Sequence, residues 1–198
     1  MSDIVNQYTK REMDLVVEYL KKEIGLEDGG EVCHEKESKY VHTDVLISKA
    51  SDGYLYFATF GMGAGEMNAP EKEFMRAEMI LMSNEVDNDE KKLVIAEELI
   101  SLSKYPFENN TWFGMGHTAY ASKTFKEHFG YDAFLFIPLS FTEALEIDEK
   151  KINYYVLLPI YKEEREWLIE NGEIDFLCEY IERYNDIVPL DEKREVIK

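Results

Sequence analysis

Apolar residues change their spacing several times along this chain, and each change marks an element. Met13, Val16, Val17, Leu20 and Ile24 recur at intervals of three and four, which places them on one face of a helix spanning Val5 to Ile24. Gly25 follows as its stop. Glu31 to Lys36 is a short strand candidate. Asp44 to Ser48, carrying Val45, Leu46 and Ile47, and Tyr54 to Phe60 flank Ser51-Asp52-Gly53, turn chemistry that joins them into a hairpin. Ala77 to Ser83 is short and largely apolar and reads as a buried strand. Asn84 to Asp89 forms an acidic loop, with Asp89 capping a helix from Glu90 to Tyr105. Leu93, Ala96, Leu99, Ile100 and Ser103 mark the inward side of that helix, and Pro106 ends it.

In the second half, Thr111 to His117 and Ala133 to Leu139 read as strands, while Ile152 to Pro159 is apolar at successive positions, as a central strand covered on both faces must be. Ile160 to Asn171 reads as a helix stopped by Gly172, and Ile174 to Tyr184 as another with Ile174, Leu177, Cys178 and Ile181 inward, broken by Asn185 and Pro189. The charged tail from Leu190 is expected to fray. Strands do not alternate strictly with helices, which predicts an α/β (α+β) fold. The whole chain, 1–198, forms one domain with a mixed, largely antiparallel central sheet flanked by helices.

Charge narrows the function classes. Forty-one acids against 22 bases leave a net charge of −19, which repels a phosphate backbone and argues against nucleic acid as a partner. No run approaches the roughly 18 apolar residues of a membrane helix, and Met1 to Arg11 is too polar for a signal core. A cytoplasmic protein without membrane contact is the expectation. Cys33 and Cys178 form no CxxC pair and are expected to be small buried thiols.

Phe60-Gly61-Met62-Gly63 recurs as Phe113-Gly114-Met115-Gly116. The first copy follows a strand as a dinucleotide fingerprint would, but Glu66 occupies the place of its third glycine and would oppose a pyrophosphate. Phosphate-loop and GxSxG signatures are absent. Cys33, His34 and His42 lack metal-site spacing, and Asp87-Asn88-Asp89 starts like a calcium loop but has Lys92 where that loop needs glycine. No cofactor or metal is therefore expected. His117, next to the second glycine pair, is the best placed for acid or base work. Trp112, Phe113, Phe134, Phe136, Tyr154 and Tyr155 read as core, whereas Trp167 and Tyr180 lie on helices rich in Glu163, Glu164, Glu166, Glu170, Glu179, Glu182 and Asp186. Such a face suits a basic protein partner.

The ordered set of motifs is more specific than any one of them. Asp44 to Ser48, Thr59-Phe60-Gly61-Met62-Gly63, Met67-Asn68-Ala69-Pro70, Arg76-Ala77-Glu78-Met79-Ile80-Leu81, Leu157-Leu158-Pro159-Ile160-Tyr161-Lys162-Glu163-Glu164-Arg165-Glu166 and Asn171-Gly172 together resemble the suppressor of fused domain family over roughly Val32 to Asp186. The resemblance implies a fold like the N-terminal lobe of the animal protein, an adaptor that holds a transcription-factor peptide. It also implies a role like that of microbial single-domain relatives, immunity proteins that bind and neutralise a toxin domain. The chain is too short for the animal protein's second lobe. In the peptide-contact region Tyr105 and Asn110-Thr111-Trp112 are similar, while Gly116 stands where an acid is expected before His117. The expectation is thus a non-enzymatic partner of a basic toxin domain, with Tyr105, Trp112, His117, Glu163, Glu164, Glu166, Trp167, Glu179 and Glu182 as contact candidates. A small-ligand-binding protein or enzyme using His117 and both glycine turns, and a general adaptor or oligomeric scaffold, are the alternatives. The former requires one pocket lined by the two turns.

Overall fold

In the computed structural model, which describes residues 5–84, 88–139, 144–184, 190–191 and 194–197, the strands form one mixed sheet. They are β1 (Glu31–Cys33), β2 (Asp44–Lys49), β3 (Leu55–Phe60), β4 (Ala77–Ser83), β5 (Thr118–Tyr120), β6 (Ala133–Pro138), β7 (Leu145–Ile147) and β8 (Lys150–Ile160). Their spatial order is β1-β2-β3-β4-β8-β6-β5, with β7 folded back on β8. The expected hairpin pairs Asp44 with Phe60 and Lys49 with Leu55, and Asp52 accepts hydrogen bonds from the Tyr54 N–H and the Tyr56 hydroxyl at its turn. All pairings are antiparallel except β4 with β8. The run expected to be central is central, since β8 lies between β4 and β6 and is buried from Tyr154 to Ile160.

Alternation along the strands distributes the core between two faces. Phe57, Met79, Leu81, Phe134, Phe136, Tyr155 and Leu157 pack with helix α2 (Asp89–Glu108) and helix α3 (Lys123–Phe129). On the other face Tyr56, Ala58, Ile80 and Tyr154 pack with helix α1 (Lys10–Ile24). Ala133, Leu135, Leu158 and Ile160 on that face meet helix α4 (Lys162–Asn171) and helix α5 (Glu173–Tyr184). The result is three layers, helices on both sides of the sheet.

Several local expectations are overturned. Helix α1 begins at Lys10, because Thr9 and Glu12 form a reciprocal capping box, and it ends at left-handed Gly25. Val16 and Leu20 are buried as the period requires, but Met13 stays 37% exposed. Asn88, one residue before the expected cap, accepts the Glu90 N–H at 2.8 Å. Helix α2 runs through Pro106 to Glu108 with Leu93 outside; proline sits in the last turn, where the loss of one donor does not prevent Asn109 from bonding Tyr105. Thr111 to His117 is not a strand, and β5 begins only at Thr118. Cys33 is half-buried and Cys178 exposed, so neither is a sealed thiol.

Helix α5 is turned from its expected face: Leu177 packs against the core as expected, but Cys178 is exposed. Phe176 and Tyr180 are fully buried, whereas Ile174 and Ile181 are exposed. Two apolar stripes run along this helix, and the aromatic one, with more area to bury, takes the core. Asn185, Asp186 and Pro189 lie outside the described residues, as do 85–87 of the acidic loop and of the candidate calcium motif.

The C-terminal segment does not fray at its described positions. Leu190 N–H bonds the Met82 carbonyl at 2.6 Å, the Tyr131 hydroxyl donates to the Asp191 carbonyl, and Ile197 is buried. Arg194 meets Glu164 through two bonds of 2.5 and 2.7 Å, and both side chains are essentially without exposure. The Glu164 carboxylate also accepts the Tyr161 and Ile197 N–H groups, while the rings of Tyr131, Tyr161, Tyr180 and Tyr184 surround the guanidinium at 4.9 to 5.8 Å. A charge-rich tail is retained because its one arginine in this position is answered on every side. Arg194→Ala should cost about 3–5 kcal/mol in urea unfolding by leaving Glu164 charged and unpaired. Arg183→Ala, which breaks the exposed pair with Glu195 and a contact with the Tyr184 ring, should cost no more than about 1 kcal/mol.

Candidate functional site

The two Gly-Met-Gly copies serve different ends. At the first, β3 finishes and Gly61 takes φ 122°, where a Cβ would lie 2.1 Å from the His42 carbonyl oxygen; only glycine fits. The turn then aims two N–H groups, of Gly61 and Gly63, at Glu78 Oε1, both at 3.0 Å. Tyr8 donates its hydroxyl to the same oxygen at 2.7 Å, and Thr59 donates to Oε2 at 2.7 Å. The turn is an anion cradle of the kind that holds phosphates, filled by a carboxylate of the chain's own sheet. Burial pushes the Glu78 carboxyl above the usual range, and its four donors pull the other way. Met62 is buried in the core beneath.

At the second copy Phe113 is buried and stacks on Phe136 at 4.4 Å, with Tyr105 stacked on its other side at 5.9 Å. Trp112 stands edge-on to His117 at 4.5 Å and against Phe74 at 5.7 Å. Met115, unlike Met62, is 54% exposed. Phe60 belongs to the α1 side of the sheet and Phe113 to the α2 side. The cleft beside Gly61 takes no lining from 113–117, so the single pocket required of a ligand site built on both turns and His117 is not formed there.

Instead the second copy leads into the outer edge of the sheet. Strand β5 pairs with β6 through Thr118, Ala119 and Tyr120 and has no strand on its other side among the described residues. The Tyr120 ring lies 4.2 Å from the Arg165 guanidinium of α4 and is 64% exposed. A Cβ on Gly116 would be 3.1 Å from Glu173 Cγ at the start of α5. His117 thus directly precedes β5, Trp112 stands against it, and Tyr105 meets the same loop through Phe113, while the turn at Gly116 lies close to Glu173 of the α4–α5 layer. Glu163, Glu166, Glu179 and Glu182 are exposed on that layer. Glu164 is fully buried against Arg194 and cannot present itself to a partner. Trp167 is half-buried, 6.0 Å from Phe176, and Tyr180, expected near an interface, is in the core. Met115, Tyr120, Arg165 and Glu173 join the site although periodicity gives no hint of them; the Met-Gly-His-Thr step just before an aromatic strand end is the only local signal.

A model of the suppressor of fused protein family matches residues 39–195. No curated protein matches the chain in sequence. Among solved structures, one described as a suppressor of fused homologue from Neisseria gonorrhoeae has a TM-score of 0.69 and 17% identity, covering 95% of this chain and 97% of that one. The structure of a Sufu–Fu complex gives 0.66 at 9% identity over 97% and 93% of the two chains. Drosophila Suppressor of Fused gives 0.51 at 10% identity, over 72% of this chain and 38% of that one. At such identities the likeness is one of fold.

Two outcomes test the first turn. Gly61→Ala should lose at least about 3 kcal/mol of stability. Gly114→Ala, with negative φ and only the Trp112 ring to displace, should lose less, both read from chemical unfolding. The raised Glu78 carboxyl binds its proton more tightly folded than unfolded, so its contribution is full below about pH 4.3 and declines as pH rises through the folded value. The wild-type minus Glu78→Gln difference in unfolding free energy should accordingly fall as pH rises from 4 toward neutrality.

Proposed function

The chain belongs to the suppressor of fused family, and on that premise we propose that it is a non-enzymatic binding domain, an immunity protein that occupies and neutralises a basic toxin domain. The observation that carries this reading is an exposed sheet edge set beside an acidic helical layer. Strand β5 offers unpaired backbone groups and the Tyr120 ring, next to half-exposed Tyr105 and Met115. Glu163, Glu166, Glu179 and Glu182 lie on the adjoining helices of a chain with net charge −19. Each part has a separate task. The field of the acidic layer draws a basic domain in and orients it. An extended segment of the partner adds to β5 through main-chain bonds, and the aromatic and methionine side chains supply the apolar contact in which binding energy concentrates. A solved relative crystallised as a Sufu–Fu complex supports a protein as the class of partner.

The test first asks whether a gene adjacent to this chain's encodes a toxin domain, and then uses that domain as the partner. Stoichiometric binding and protection of cells are expected. Changing Glu163, Glu166, Glu179 and Glu182 together to lysine should slow association at least about tenfold at low salt. Thr118→Pro, which removes a backbone N–H facing away from β6, should mainly speed dissociation. Lack of binding and protection by the wild-type chain would overturn the proposal.

A further inference from the structure

The apolar stripe of α1 is not closed over by the sheet beneath it. Val16 and Leu20 are buried, but Met13 keeps 37% exposure and Val32, on β1, 46%. Between them lies a cleft of about 260 Å³ whose apolar walls are Tyr8, Met13, Val17, Val32, Leu46 and Phe60. Its floor is held in place beforehand. The Tyr8 ring stands edge-on to Phe60 at 5.9 Å, the Tyr8 hydroxyl is bonded to Glu78, and Gly61, also in the lining, is tied to the same carboxylate. A guest therefore meets walls that need little ordering.

The polar residues of the lining, Gln7, His34, His42 and Asp44, restrict what that guest can be. Asp44 Oδ2 lies 2.9 Å from His34 Nδ1, while Oδ1 is 3.2 Å from His42 Nε2 and accepts the Glu35 N–H at 3.0 Å. The carboxylate is filled, which leaves nothing for a cation, and in a chain of charge −19 an anion is disfavoured. In neutral His34 the proton sits on Nδ1, toward Asp44, and Nε2 is then an acceptor on a side chain 74% exposed. A cavity of about 150 Å³ suffices for benzene, so 260 Å³ has room for two fused rings, and rings suit walls made of Tyr8, Phe60 and the Met13 thioether.

We propose that the cleft between α1 and strands β1–β3 binds a small, neutral, bicyclic aromatic molecule bearing one hydrogen-bond donor, received by His34. This site lies toward the β1 end of the strand order, opposite the β5 edge used for the protein partner, and does not depend on that reading. Indole titrated into the full chain, followed by amide shifts in heteronuclear NMR, should bind saturably at one site with the changes centred on Met13, Val17, Val32, Leu46 and Phe60. 1-Methylindole, the same rings without the donor, should bind about tenfold more weakly, and His34→Ala should abolish that difference. Val32→Trp, at an exposed position, should fill the cleft and remove binding; Met13→Trp serves in its place if circular dichroism shows the first variant unfolded. No saturable shift up to about 1 mM indole, or binding unchanged by the filling variant, overturns the site. Equal affinity for the two probes in the wild type overturns the donor requirement.

Discussion

A carboxylate without solvent exposure has to be answered from within, and around Glu78 this need joins three separate pieces of chain. Tyr8 precedes α1, Thr59 near the end of β3 and Gly61 and Gly63 in the following turn form one run, and Glu78 itself is on β4. Removing a buried acceptor of this kind leaves several donors unpaired at once, each costing about 1–3 kcal/mol. The start of α1, the turn at Gly61 and the floor of the cleft are thus fastened to one side chain. A turn that begins like a dinucleotide fingerprint is here a fastening of the fold, with its own carboxylate built in.

The parts of the fold that were legible in the sequence are those decided by local physics. The period of α1, the Ser51-Asp52-Gly53 hairpin, the doubly covered β8 and the mixed sheet follow from spacing and turn chemistry, and the ordered motifs pointed to the family that the match over 39–195 establishes. What stayed hidden was decided between distant segments. Helix α5 carries two apolar stripes, and only the presence of Leu135, Leu158 and Ile160 beneath it selects Phe176 and Tyr180 over Ile174 and Ile181. Glu164 reads as one more surface acid on an acidic helix until Arg194, thirty positions on, is found against it. Strands β5 and β7 and helix α3 are too short to show a period, and they owe their form to their neighbours.

The candidate site divides along the same line. Tyr105, Trp112 and His117 are contributed by the end of α2 and the loop after it, close enough in sequence for a motif to suggest them. Tyr120, Arg165 and Glu173 enter only because β5 is placed against α4 and α5. The sheet ends in two unlike margins, with an apolar cleft under α1 near one and an aromatic, acid-flanked strand at the other. Molecules of very different size could thus be met by one sheet without competing for the same residues.

The clasp on Glu164 also has a meaning in time. A chain made from its N-terminus folds what it can as it emerges, and β8, α4 and α5 precede the arginine that completes their layer. Until residue 194 is available, Glu164 faces the tyrosine cluster without a countercharge, a state as costly as any deletion of that arginine. Among the described residues, the β1–β4 half with α1 and α2 takes Leu190 from the C-terminal segment, which bonds Met82 and is buried in the core on the α2 side. Closure of the α4–α5 layer therefore waits on Arg194, and the layer is secured only after that residue has joined it.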